Sequence, residues 1–459
     1  MFVGRTQELK QLEDAYRQER NAAIVLYGRY GIGKTELAAL FAKDKPTFYY
    51  AARELSEQEQ RFCLAKELGV AEKDEVPSFY DSLHYVVANR EKKQKAVVII
   101  DEFHFLVKTS DDFKVAFLKL LMEEQCMFLF LSSSVNWIEN SMVEEFGPAA
   151  RAIYGTIKLK EFTFLELVKR FPAMSVEKTI YANAILGGVP DYLNEWNEKS
   201  SVKENILRLF LRKDAPLLFA AENFLKRELR ELGAYNAILA ALASGRNKLN
   251  DIYNRTGFSR AKISVYIKNL IELDVVEKVF SFDASENASL VHANVQKGLY
   301  RIKDNYLRFW YRYVFPNLSA IFMGKGEQVY EKEIAKDFTV YMQECFAEVC
   351  SEYLKLMNQY GKLSDHYTTW GTWYGKSGRI DVVAGDESDK FLAGFCRFDS
   401  RMMTVKDLSG YKELLELALI TPQELYLFSK AGFTEELRQK TANGILSGCK
   451  VILVGLEDL

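Results

Sequence analysis

From Ala23 to Tyr27 the chain is apolar and strand-like, and it runs straight into Gly28-x-x-x-x-Gly33-Lys34-Thr35. Glu36 to Ala42 then reads as a helix. With a strand before it and a helix after it, this glycine spacing reads as a phosphate-binding loop, which belongs at the carboxyl edge of a parallel sheet. Gly28, Gly31 and Gly33 permit a tight turn. The backbone N–H groups from Gly28 to Glu36, those of Arg29, Tyr30 and Ile32 included, are then expected to face a polyphosphate at a helix N-terminus. Lys34 has the reach for β- and γ-phosphates, and the Thr35 hydroxyl suits Mg²⁺. ATP and Mg²⁺ are the expected ligands.

At 459 residues the chain is too long for one ordinary core, and two to four domains are expected. A content of 48% hydrophobic and 27% charged residues places it among globular chains, and the net charge of −2 gives no global basic field for nucleic acid. The first five residues include Arg5 and carry no signal-peptide pattern, and no apolar run approaches the roughly 20 residues that span a bilayer. A cytoplasmic protein without a membrane partner is expected. Six cysteines, at 63, 126, 345, 350, 396 and 449, include no C-x-x-C pair, and only four histidines accompany them. That composition argues against structural zinc and for reduced thiols.

A second apolar run, Ala96 to Ile100, ends in Asp101-Glu102. Its continuous β-branched character fits a parallel strand buried on both faces. Asp101 at its carboxyl end is placed to hold Mg²⁺, and Glu102 to polarise the water that attacks the γ-phosphate. A third strand, Met127 to Leu131, runs into Ser132-Ser133-Ser134.

The order of motifs resembles the archaeal-type ATPases of the AAA+/STAND-like P-loop group. The resemblance rests on Phe2-Val3-Gly4-Arg5 with Glu8-Leu9, the phosphate loop, and Asp101-Glu102-Phe103 with His104 where Gln is usual. It continues through the serine run, Ile153-Tyr154-Gly155, Gly187-Gly188-Val189-Pro190-Asp191-Tyr192-Leu193, and Asp304 to Tyr311. It implies an α/β P-loop core with a helical lid. Phe2, Val3 and Arg5 would pack against the adenine, and Gly187–Leu193 would belong to the lid. Ser133 or Ser134 would contact the γ-phosphate and the attacking water; serines that merely cap the next helix are the alternative. Many relatives have an arginine just after the Tyr-Gly pair, where this chain has Thr156, so turnover is expected to be slow unless Arg5, Arg29 or Arg151 substitutes.

Farther on, Ala234–Ala243, Lys248–Arg255 and Ser259–Leu273 read as three helices. Val275–Phe282 and Gly298–Ile302 read as a hairpin, giving a winged helix-turn-helix pattern. Ser259 suits an N-cap, and Ile263, Ile267, Leu270 and Ile271 form the apolar stripe. Ser259, Arg260, Lys262 and Ser264 lie near the start of the candidate recognition helix. Between residues 246 and 278, seven cations face four acids, a net of +3, which suits contact with double-stranded DNA. A rigid spacer or protein-contact module is the alternative. The aromatic run from Tyr306 to Phe315 has the spacing of a packing face.

From residue 341 the order helix, three strands, helix, strand, helix, strand resembles the restriction-endonuclease-like, PD-(D/E)xK core. Asp381 fills its first acid, but the Glu-x-Lys positions are Phe395 and Arg397. Phe395 cannot ligate a metal, and Arg397 stays protonated. The expectation is a nuclease-shaped domain that does not cut, with Asp381 and Arg397 as an internal ion pair; only Glu348 or Asp399 could replace the missing acid.

The expected division is 1–160 ATPase core, 161–232 lid, 233–302 winged helix, 303–340 connector and 341–459 nuclease-like domain. The expected activity is that of a nucleotide-driven switch on DNA. The rivals are an ATP-dependent nuclease and a non-hydrolysing ATP sensor or scaffold that contacts protein. Neither the oligomeric state nor the partner is legible.

Overall fold

The computed structural model describes residues 3–70, 76–89, 94–283, 298–442 and 449–459, with the backbone of 445–446. Phe2 lies outside the described residues. Two compact units form. One comprises residues 1–162, 189–194 and 222–230; the other comprises 163–188, 195–221 and 231–459.

The first unit is built on a five-stranded parallel sheet. Its strands are β1 (Ala22–Tyr27), β2 (Thr47–Ala51), β3 (Ala96–Asp101), β4 (Cys126–Ser132) and β5 (Gly155–Lys158), in the order β2-β3-β4-β1-β5. Every residue of β1, β3 and β4 is buried, as central strands covered on both faces must be. On one face Ile24, Leu26, Val97, Ile99, Leu129 and Leu131 pack with Leu37 and Phe41 of the helix Lys34–Ala42. Burying each such side chain contributes about 2 kcal/mol, which makes that helix a firm platform for the loop before it.

The second unit holds the remaining elements. The helices Leu232–Ala243, Leu249–Thr256 and Arg260–Glu272 precede an antiparallel hairpin, β6 (Val276–Val279) with β7 (Leu299–Ile302). Ser259 caps the third helix by accepting from Lys262 N–H at 3.3 Å. Ile263, Ile267 and Leu270 are buried, but Ile271 is exposed, so the stripe is one residue narrower than its spacing suggests.

The aromatic run is core. Tyr306, Phe309, Trp310, Tyr311 and Tyr313 are buried and Phe315 is half-buried. The polar tips of Tyr306 and Trp310 reach the carbonyls of Leu217 and Leu218 at 2.8 Å, which removes the cost of burying them.

A long helix, Phe338–Gln359, leads to a six-stranded sheet: β8 (Thr369–Tyr374), β9 (Arg379–Gly385), β10 (Phe391–Arg397), β11 (Pro422–Ser429), β12 (Ile445–Leu446) and β13 (Cys449–Val454). The order is β12-β13-β11-β10-β9-β8, with β10, β11 and β13 parallel. The helix expected over 435–446 ends at Thr441.

Candidate nucleotide site

The loop after β1 turns through Gly31 and Gly33 at φ +76° and +91°. A side chain at Gly31 would also put its Cβ 2.6 Å from Asp191 Cβ, so this glycine is required twice, by its dihedral and by its neighbour. Lys34 is buried, and its ammonium donates to the carbonyls of Gly28 at 2.8 Å and Arg29 at 3.2 Å. Burial pulls Lys34 below the usual lysine range, against the opposing pull of Glu102, Asp101 and Glu228. Tyr30, Gly31, Gly33, Lys34, Thr35 and Glu36 line one side of a cavity of about 210 Å³; Asp101, Glu102, Pro190, Asp191 and Asn194 line the rest.

The other loop residues serve the fold. Ile32 is buried in the core beneath the loop. Arg29 pairs with Glu161 at 2.6 Å and lies over the rings of Phe224 and Tyr192. Val3 is buried, and Arg5, at φ +62°, reaches the carbonyls of Lys160 and Ile32 and lies over Phe162. Arg151 is exposed, as is Thr156 on the edge strand β5. Arg5 and Arg29 are therefore held by structural partners.

Asp101 closes β3 with both oxygens occupied. Oδ2 accepts from Thr35 Oγ1 at 3.1 Å and from the Tyr49 hydroxyl at 2.7 Å, and Oδ1 accepts from Glu102 N–H at 2.9 Å. All three donors are neutral, and the Thr35 hydroxyl stands beside the carboxylate. That donor set fits Mg²⁺, a hard cation that takes oxygen ligands.

Glu102 has φ +50°, a left-handed conformation that costs a non-glycine residue roughly 1–2 kcal/mol. This turns its side chain towards the end of β4, where Oε2 accepts from Ser133 N–H at 2.9 Å and lies 3.3 Å from His104 Nδ1. Burial, with Lys108 and Lys34 nearby, holds His104 down at about 4, so it acts as a neutral hydrogen-bonding group. Its Nδ1 lies 3.1 Å from Ser132 Oγ. Ser133 thus meets Glu102 through its backbone, and Ser134 precedes the helix Val135–Asn140 without a side-chain cap bond.

Two segments from far along the chain complete this unit. Asp191 N–H donates to Gly31 O at 3.1 Å. Farther on, Phe224 covers Arg29, and the Arg227 guanidinium lies 3.9 Å from the Tyr30 ring centroid. Glu228 accepts from Val135 N–H at 3.2 Å and Asn136 N–H at 3.3 Å. No local pattern marks Arg227 or Glu228, which sit in an unremarkable amphipathic helix. Tyr49 carried only a weak one, its place in a strand beside β3.

The residues picked out for DNA contact belong to the second unit. Arg260 and Lys262 are exposed, the former beside Asn250 and Tyr253 and the latter over the rings of Phe258 and Tyr266. Ser264 turns back to the carbonyl of Arg260, and Ser259 is spent on its cap.

In the C-terminal sheet the expected Asp381–Arg397 pair does not form. Asp381 pairs with Arg379 at 2.7 Å and accepts from Cys396 N–H at 2.9 Å. Burial pushes its carboxyl up, while Arg379 pulls it down. Arg397 makes a bidentate pair with Asp407 at 2.7 and 2.8 Å. Residues 379 and 381 alternate along one strand and share a face, which settles the choice. Phe395 stacks on Tyr411 at 4.0 Å, Glu348 pairs with Arg308 and Arg301, and Asp399 with Arg401. Among the described residues no cluster of three His, Cys, Asp or Glu side chains could hold a metal ion, and no helix is long and apolar enough to cross a membrane.

A parallel sheet of this order, with a glycine loop and an Asp-Glu pair at its carboxyl edge, defines a P-loop NTPase core of the AAA+-like kind. Residues 2–196 match the family described as an ATPase domain predominantly from Archaea, and residues 310–408 match a family of archaeal and bacterial proteins of unknown function. The two matches fall on separate stretches of the chain, the first over the phosphate loop and the Asp101-Glu102 pair.

An uncharacterized protein of Methanocaldococcus jannaschii is 29% identical over 398 residues, 85% of each chain. Among solved structures, a Walker-type ATPase of Pyrococcus abyssi has a TM-score of 0.47 at 17% identity, over 68% of this chain and 96% of that one. The Aeropyrum pernix ORC1 protein, solved in complex with DNA, has a TM-score of 0.36 at 15% identity, over 69% and 95%. At TM-scores below 0.5 these likenesses add nothing to the sheet order and loop geometry.

Proposed function

We propose that this protein is a slow, Mg²⁺-dependent ATPase whose nucleotide state acts as a switch on double-stranded DNA. The observation that carries the reading is the meeting of Lys34, Thr35, Asp101 and Glu102 around one cavity. In this reading the loop N–H groups and Lys34 bind the phosphates. Thr35 and Asp101 hold Mg²⁺, which when bound neutralises charge on the β- and γ-phosphates. Glu102 orients water and takes its proton. Its bond to Ser133 N–H fixes the carboxylate before substrate arrives, and Thr156 in the arginine position is consistent with slow turnover.

The DNA part rests on the three helices and hairpin, read as a winged helix. Arg246, Lys248, Arg255, Arg260, Lys262 and Lys268 are all exposed there, and phosphate contacts by such residues give affinity without sequence preference. The alternative of a non-hydrolysing sensor that contacts protein draws on the same Glu102 restraint, since a tethered base also suits a site that holds ATP. DNA cleavage is not proposed, because Asp381 is neutralised by Arg379 and a phenyl ring stands where a second acid is required.

ATP turnover by the purified chain, with and without duplex DNA, is the direct test. Stimulation by duplex is expected. Lys34→Ala should abolish nucleotide binding, and Glu102→Gln should preserve binding while lowering turnover about a hundredfold or more. Full turnover in the Glu102→Gln variant would remove Glu102 from the mechanism, and turnover indifferent to DNA would favour the sensor.

A further inference from the structure

The turn after β4 offers four consecutive backbone N–H groups, and three of them serve carboxylates. Ser133 N–H holds Glu102 at 2.9 Å; Val135 and Asn136 N–H hold the two oxygens of Glu228 at 3.2 and 3.3 Å. Ser134 N–H turns to Ser132 Oγ. Glu102 has a task in hydrolysis, and Glu228 has none.

Glu228 closes the helix Ala220–Glu228 and comes from more than 90 residues beyond the turn it binds. Its charge acts on both Lys34 and Glu102. Burial pushes its carboxyl above the usual range, and the two N–H bonds and Lys34 pull it back. A half-buried carboxylate held on the same turn as a second one is costly to keep ionised, so its presence within the field of Lys34 calls for a consequence.

A diphosphate held by the glycine loop ends near Lys34. In the reading above, a γ-phosphate would share Lys34 and also face the water held by Glu102, so it would feel the field of both carboxylates more than a diphosphate does. Resting on the reading of this cavity as an ATP site, we propose that Glu228 is a specificity-determining residue. Its charge disfavours nucleoside triphosphate relative to diphosphate, and its bonds to Val135 and Asn136 give way when a triphosphate enters. The residue before it, Arg227, lies on Tyr30 of the loop and has no ion pair among the described residues. The same short segment thus sets a cation against the loop and an anion against the turn after β4.

Glu228→Gln removes the charge at nearly the same shape, and its one amide oxygen keeps one of the two backbone N–H bonds. Equilibrium binding of a non-hydrolysable triphosphate analogue and of ADP, both with Mg²⁺, should be measured on the full chain and on this variant. Triphosphate affinity should rise about tenfold, equivalent to about 1.4 kcal/mol, with ADP affinity nearly unchanged. An unchanged or lowered triphosphate-to-diphosphate ratio overturns the proposal.

Should the variant fail to fold, amide exchange in the unmodified chain decides. The triphosphate analogue should speed exchange at Val135 and Asn136 relative to ADP, and equal or slower exchange overturns the proposal. If the unmodified chain binds neither nucleotide, the ATP-site reading itself fails. If it binds both, Lys34→Ala binds neither and the Glu228→Gln ratio is unaltered, the ATP site stands and only the role of Glu228 falls.

Discussion

Asp101 and Asp381 each sit on a strand of a mainly buried sheet, and each is 9% exposed. Burial therefore does not separate the acid read as a metal ligand from the acid read as a relic. Their partners do. Asp101 meets two hydroxyls and a backbone N–H, all neutral donors, at the border of a cavity. Asp381 meets the Arg379 guanidinium at 2.7 Å, and its charge is spent inside the protein. A carboxylate becomes a cation site only when the fold supplies donors that leave its charge unbalanced.

The largest expected effects break this comparison at its two ends. Asp101→Asn should lower ATP turnover at least a hundredfold, because the Mg²⁺ ligand is lost, while the melting temperature stays within a degree or two. Asp381→Asn should do the reverse. Stranding the Arg379 charge should cost about 3 kcal/mol of stability, read as a lower urea midpoint, with turnover unaffected at temperatures where the protein is folded. A second change, Arg379→Met, should return much of the loss by removing the stranded cation. If Asp381→Asn is harmless and Asp101→Asn unfolds the chain, the two acids have been assigned the wrong way round.

Much of the first region was legible before any coordinates, because its signals are local. A glycine spacing, two apolar runs and an acidic pair mark the loop, β1, β3 and much of the cavity lining. Glu228 and Arg227 were not legible, since a residue brought in from 90 or more positions away leaves no mark in the spacing of those it meets, and Asp191 was marked only through the family resemblance of its segment. The C-terminal acid failed for a different reason. Motif position points to Arg397 as its partner, whereas the period-2 rule for strands puts Arg379 on the same face.

A smaller effect belongs to the second unit alone. Arg260→Glu with Lys262→Glu should weaken duplex binding about tenfold at moderate salt and reduce the salt dependence by up to two ion equivalents. Both side chains are exposed and neither is part of the helix core, so stability should hold. Unchanged binding would remove this helix from the DNA reading and leave it as a spacer.

The smallest effect tests whether Arg397, in the position where the nuclease pattern has its lysine, is purely structural. Its bidentate bonds, with help from Thr404, hold the Asp407 carboxyl down at about 2 from its ordinary 3.8. A carboxylate depressed in the folded state contributes stability that is fully present above its unfolded pKa and is lost as pH falls through the folded one. The window is therefore pH 4 to 2. Because Asp407 is partly open to solvent, the contribution is discounted to about 1 kcal/mol. Urea midpoints across that window should fall less steeply with acid for Arg397→Met than for the unmodified chain, and both should converge near pH 2. Parallel curves would mean that Arg397 is not what holds Asp407 ionised, and its side chain would again be open to another role.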